Sequence, residues 1–202
     1  EIRQDASLAR LAGYFVIKTG DFLIMCETGN TLKGKAPGLA AFLAGCGILI
    51  WLDQWTKTLA VTHLKGQDPI IIWDGVFQLQ YLENRGAAFG MLQGRQIFFF
   101  LIALLVLAAV AYALYRMPFT RRYFPLGFCM ALLVSGALGN LIDRVRQQFV
   151  VDFFYFCLID FPIFNVADCY VTVAAFLLVI LIMWYYREEE LAVFSWKKGE
   201  RP

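Results

Sequence analysis

A chain of 202 residues that is 60% hydrophobic and 17% charged departs from ordinary soluble domains, which run roughly 45–50% apolar and about a quarter charged. A formal net charge of +2 gives no electrostatic basis for binding nucleic acid. One histidine and five scattered cysteines, with no C-x-x-C, argue against a metal centre, a Ser-His-Asp triad and a disulfide framework, so neither metal nor cofactor is expected.

Residues 1–36 read as an N-terminal extension without assigned function. Glu1 to Arg10 has the look of a short polar helix, and Leu11 to Met25 is too interrupted by Lys18, Gly20 and Asp21 to cross a bilayer. No small-residue cleavage site follows an apolar core, so no signal peptide is expected. The first span covers Gly38 to Trp55 and closes with Asp53-Gln54-Trp55-Thr56-Lys57. Asp53 and Lys57 are one helical turn apart and share a face.

Pro69 to Gly90 changes character. Ile70 to Trp73 and Val76 to Tyr81 flank Asp74-Gly75, a strong hairpin signal, and Gln78 and Gln80 alternate with Phe77, Leu79 and Tyr81. A small sheet at the membrane surface is expected over about residues 68–93. The run Asn84 to Gly90 that ends it is small and flexible. The second span is Ile97 to Tyr115, whose Phe98, Phe99 and Phe100 read as lipid-facing. A basic loop with Arg116, Arg121 and Arg122 leads into the third span, Phe124 to Ile142. There Ser135, Gly136 and Gly139 suit close helix packing. The fourth span, Ile163 to Tyr186, carries one charge, Asp168, and ends in the aromatic belt Trp184-Tyr185-Tyr186. Residues 191–202 read as a tail, which leaves 37–190 as one four-helix membrane domain.

Four spans place both termini on one side. Lys33, Lys35, Arg116, Arg121, Arg122, Arg187, Lys197 and Lys198 fall there, so the positive-inside rule makes that side cytoplasmic. Asp53, Lys57, Asn84, Asn140, Asp143, Arg144, Asp152 and Asp168 then all meet at the opposite interface.

A carboxylate beside lipid costs on the order of 2.5–3.5 kcal/mol unless paired or protonated, so such groups mark function. Two neighbouring carboxyls share a proton: the ionised one can act as base on a water while the neutral one hydrogen-bonds a carbonyl. That hydrolyses a peptide bond without metal or covalent intermediate. Asp143 adjoins Arg144 and reads as an internal salt bridge, whereas Asp152, in Val150-Val151-Asp152-Phe153, and Asp168 sit in apolar settings and form the better pair. Plainer readings stand beside these: a structural or ion-binding aspartate pair, an interfacial ion pair for Asp53 and Lys57, a turn role for Asn84, an N-cap role for Asn165, packing for Cys169 and an exposed loop for His63. A proton-coupled transporter is the rival function, but it calls for midplane carboxyls and internal repeats, and none is found.

Five motifs, in order and at the right ends of four spans, carry a resemblance. They are D-Q-W-T-K from Asp53, N-R-G-A-A-F-G from Asn84, G-N-L-I-D-R from Gly139, V-V-D-F from Val150 and F-N-V-A-D from Phe164. From about Gly38 to Tyr186 the chain resembles the lipoprotein signal peptidases (signal peptidase II). The resemblance implies an all-α integral membrane protein with four transmembrane helices and a small extracytoplasmic β-cradle. It implies an aspartyl endopeptidase of the bacterial inner membrane that removes signal peptides from diacylglyceryl-modified prolipoproteins just before the lipidated cysteine, works as a monomer among membrane lipid and is inhibited by globomycin. Asp152 and Asp168 carry over as the catalytic pair. Asn84, Asn140, Arg144 and Asn165 carry over as substrate-holding or supporting groups, with Asp53, Lys57 and Asp143 supporting. Ser135 departs from the family pattern, where glycine is common, and residues 1–36 have no counterpart in short members.

Overall fold

The structure, a computed structural model, describes residues 14–19, 22–27, 32–86 and 95–194, with side chains described for 35–86 and 95–194. The expected helix over Glu1 to Arg10, the stretch Ala87 to Gly90 and the last residues of the tail lie outside these. Two strands, β1 (Tyr14–Thr19) and β2 (Phe22–Glu27), form an antiparallel hairpin, so the broken apolar stretch Leu11 to Met25 belongs largely to strands.

Four long helices follow: α1 (Leu32–Leu64), α2 (Gln96–Arg116), α3 (Phe124–Gln147) and α4 (Val166–Ile180), the last continued by a π-helical turn at Leu181–Tyr185. The segments Lys35–Leu64, Gln96–Arg116, Arg121–Gln147 and Val166–Tyr185 are each long and apolar enough to cross a membrane. The fold is the expected one: four membrane-capable helices and a small antiparallel sheet.

The first span does not close at Lys57. It continues to Leu64 because Asp53, Lys57, Ala60 and Leu64 form one buried stripe along α1. The charges that looked like an interfacial stop meet one another inside the protein instead of meeting water. His63 accordingly lies on the last turn of α1, exposed as expected but helical.

The centre of the bundle is α3, which packs against each of the other three helices. Its small residues permit that. A Cβ on Gly136 would lie 2.6 Å from the Ala167 carbonyl oxygen, and one on Gly139 would lie 2.5 Å from Asp53 Oδ2. Glycine at these positions lets α1 and the first turn of α4 reach the backbone of α3. Buried Ser135 donates to the Cys46 carbonyl at 3.4 Å, closing a third contact of the same kind.

The hairpin at Asp74-Gly75 forms as expected, with Gly75 at φ +67°, joining β3 (Ile70–Trp73) to β4 (Phe77–Asn84). The segment Val150–Tyr155, between the third and fourth spans, is a third strand, β5, antiparallel to β4. Its first four residues are buried, so no wet-and-dry alternation betrayed it. At the other end, Arg122 pairs with Glu190 of α5 (Glu188–Leu191), and Tyr186 turns inward to stack on Tyr123 while Trp184 stays exposed. The aromatic belt is therefore split between a lipid-facing and a packing member.

Candidate active site

Two local structures set the site. β5 lies beside β4 in a register that puts Leu82 opposite Asp152 and Asn84 opposite Val150. Asn84 is thus the diagonal neighbour of Asp152 on one face of the sheet. Val151 and Phe153 alternate to the other face and pack with Ala60 and Leu64 of α1. The second structure is the N-terminus of α4. Asn165 is its N-cap and Asp168 its third residue, and they form a reciprocal capping box. The Asp168 amide donates to Asn165 Oδ1 at 3.1 Å, and the Asn165 amide donates to Asp168 Oδ2 at 3.2 Å.

The cap does more than start a helix. Asn165 Nδ2 donates to Asp152 Oδ1 at 2.6 Å and to Asn140 Oδ1 at 3.1 Å. Asn140 Nδ2 donates to Asp168 Oδ1 at 2.8 Å. Asn84 Nδ2 donates to Asp152 Oδ2 at 2.8 Å, and its own Oδ1 accepts the Gly86 amide at 3.0 Å. All four oxygens of Asp152 and Asp168 are therefore held by N–H donors, three of them asparagine side chains. Asp152 is buried and Asp168 half-buried. Burial first, and the charge of Asp168 second, push the Asp152 carboxyl up to about 7, against the pull of the Asn84 and Asn165 amides and the charge of Lys57.

Beneath this pair lies a buried ionic cluster. Lys57 Nζ sits 3.0 Å from Asp53 Oδ2 and 3.0 Å from Asp143 Oδ2, and donates to Asn140 Oδ1 at 2.9 Å. Asp53 Oδ1 accepts the Ala167 amide at 3.0 Å, and Asp143 Oδ2 accepts the Val151 amide at 3.2 Å. The cluster thereby ties α1 and α3 to the first turn of α4 and to β5. Three charges at this depth are tolerable only because each is paired and hydrogen-bonded.

Every residue singled out in the sequence falls in or beside this network, with one change of partner. Asp143 pairs with Lys57, not with Arg144. Adjacent helical residues point to different faces, so neighbours in sequence cannot readily form that bridge. Arg144 instead donates to the Gly86 carbonyl at 3.2 Å and the Asn140 carbonyl at 3.4 Å. Its guanidinium lies 4.2 Å from the centre of the Phe99 ring, and its buried Nε has no partner among the described residues. Phe99, read as lipid-facing, is thus a stacking surface for Arg144, while Phe98 and Phe100 are exposed as expected. Asn84 and Asn165 serve both the local roles and the site.

Sequence reasoning missed Gln54. Its Nε2 donates to Asp143 Oδ1 at 3.0 Å and to the Gly139 carbonyl at 3.2 Å. An amide between Asp53 and Lys57, inside an apolar span, was the available signal.

Comparison with known proteins gives the same picture. The Signal peptidase (SPase) II family matches residues 46–184. The lipoprotein signal peptidase of Streptococcus thermophilus (strain CNRZ 1066) is 44% identical over 136 residues, 67% of this chain and 87% of the relative. That of Clostridioides difficile (strain 630) is 45% identical over 139 residues, 68% of this chain and 91% of the relative. Two solved bacterial membrane enzyme structures superpose on it. One, 29% identical, covers 80% of this chain and 95% of its own with a TM-score of 0.65. The other, 31% identical, covers 73% and 95% with a TM-score of 0.64. With the motifs, the four helices and the shared architecture in agreement, the chain belongs to the signal peptidase II family of multi-pass membrane peptidases.

Proposed function

We propose that this protein is an aspartyl endopeptidase that removes the signal peptide from diacylglyceryl-modified prolipoproteins, with Asp152 and Asp168 as its catalytic pair. The observation that carries the reading is the asparagine lattice: Asn84, Asn140 and Asn165 hold both carboxyls while leaving Asp168 half-exposed. Two like charges in a low-dielectric site are relieved by one shared proton. Burial and the neighbouring charge push the Asp152 carboxyl up to about 7, which supports one proton shared by the pair near neutral pH. In this mechanism Asp168 takes a proton from a water as the water attacks the scissile carbonyl carbon. Asp152 donates its hydrogen to the carbonyl oxygen, giving a neutral gem-diol. On collapse Asp168 gives its proton to the leaving amine as the C–N bond breaks, and a hydroxyl of the diol returns its hydrogen to Asp152, leaving a carboxylic acid product and the starting pair. The unpartnered Nε of Arg144 supplies a further donor for a substrate carbonyl.

The cut falls just before the lipidated cysteine. The substrate enters sideways from the bilayer with its diacylglyceryl chains still in hydrocarbon, which suits carboxyls set where spans meet a sheet. Lys57 and its two aspartates support the site from below. The working unit is one copy of residues 37–190, with both termini cytoplasmic, the aspartates facing the opposite side, and globomycin as inhibitor.

The test is cleavage of one prolipoprotein, with and without its diacylglyceryl group, by purified protein in detergent. The lipidated form should be cut and the unlipidated form spared. Asp152→Asn and Asp168→Asn should each abolish cutting while the protein elutes and melts as a folded species. Near-normal turnover by either variant would remove that aspartate from the catalytic pair.

A further inference from the structure

At the end of the bundle away from the aspartates, the start of α1, the loop after α2 and the start of α3 enclose a groove of about 690 Å³. That is within the roughly 300–1,000 Å³ of small-molecule sites. Its walls are almost wholly apolar and belong to two of the membrane-capable segments and to the loop residues Met117, Phe119 and Thr120. Phe124 and Phe128, both in its lining, are exposed on a membrane-capable segment, so the groove is accessible from the surface that segment presents to lipid. It runs from Gly38 to Gly45 on α1 and alongside Phe124 to Ala131 on α3. At the helical rise this is about 10 Å, the upper part of one leaflet.

Two features make the groove selective. Its volume exists because glycines face it: a Cβ on Gly45 would meet nothing within 4 Å, and one on Gly127 would meet only the Met117 methyl at 3.7 Å. Thr120 and Arg121, the polar members of its lining, come from the loop between α2 and α3. The neighbouring Arg122 is engaged by Glu190, whereas Arg121 is exposed and forms no ion pair among the described residues. An apolar slot in hydrocarbon under an uncommitted cation fits an acyl chain joined to an anion.

We propose that this groove binds one anionic phospholipid, with an acyl chain between Gly45 and Gly127 and its phosphate on Arg121 and Thr120. The site is independent of the peptidase chemistry at the other end of the bundle.

The experiment is native mass spectrometry of the delipidated full chain in detergent, titrated with dioleoyl phosphatidylglycerol or dioleoyl phosphatidylcholine. Wild type should retain one phosphatidylglycerol about fivefold more strongly than phosphatidylcholine, the factor equivalent to about 1 kcal/mol per basic residue at an anionic headgroup. Arg121→Gln should bring the two lipids close to parity. Gly45→Leu, whose side chain enters open space, and Gly127→Leu, from the opposite wall, should each lose the retained lipid while melting like wild type. Equal retention of both lipids by wild type would overturn the proposal and leave a generic apolar occupant. Retention unchanged in both leucine variants would overturn it by placing the lipid elsewhere. No adduct in wild type would overturn it in favour of a protein segment in the groove.

Discussion

Replacing Asp152 by asparagine should change how stability depends on pH, whatever it does to cleavage. The Asp152 carboxyl titrates at about 7 in the folded protein, against an ordinary value of 3.8. A folded-state value above the unfolded one means that the neutral form is favoured by folding. The contribution is complete below about pH 4, and it is lost progressively as pH rises to 7, beyond which the ionised carboxylate is a standing cost. At 1.36 kcal/mol for each unit, the loss between pH 5 and pH 8 is about 3 kcal/mol. The asparagine side chain cannot ionise, so that slope should vanish in the variant. The substitution also leaves one acceptor oxygen where Asn84 and Asn165 now donate to two, which costs about 1–3 kcal/mol at every pH. The variant should therefore gain about 3 kcal/mol on wild type between pH 5 and pH 8 and melt level with it or above it at pH 8. Melting temperatures in dodecyl maltoside at pH 5, 6, 7 and 8 measure this, and the readout is the difference between the two proteins, in which titrating groups not coupled to Asp152 cancel. A difference that stays constant across the series would refute the claim that burial and Asp168 hold this carboxyl neutral.

Lys57→Met should cost about 3–5 kcal/mol, because it leaves Asp53 and Asp143 as unpaired buried charges; a melting curve reads the loss. Gly139→Ala pushes a methyl to 2.5 Å from Asp53 Oδ2 and should cost about 1–3 kcal/mol, with α1 and α3 forced apart. Thermal melting with the activity assay should show both falling together. Arg144→Lys keeps the charge but loses the planar fork that spans Gly86, Asn140 and the Phe99 ring. It should lower kcat/KM roughly 10–100-fold, the equivalent of a charged hydrogen bond of about 1.5–3 kcal/mol, with little change in melting temperature.

The spans were legible because each is a long apolar run with a clear break, and the hairpin because Asp74-Gly75 admits few other structures. The clustering of the polar residues followed from span count alone. What could not be read were facts decided by burial. β5 hides its strand character because Val150 to Phe153 are all covered, one face by the helices and the other by the site. The end of α1 lies beyond the charges that suggest an interface because Lys57 meets two carboxylates inside the protein instead of water. The partner of Asp143 was misassigned because sequence adjacency stood in for spatial adjacency. Gln54 and Phe99 escaped notice because an amide and a ring acquire roles only from what they touch.

Asn165 starts a helix with one side-chain atom, its Oδ1 on the Asp168 amide, and holds the Asp152 carboxyl with the other, its Nδ2. Secondary-structure formation and assembly of the reactive centre are therefore one event in this chain. If Asp152 and Asp168 are the catalytic pair, a copy whose last helix has not yet nucleated lacks the geometry that holds them together.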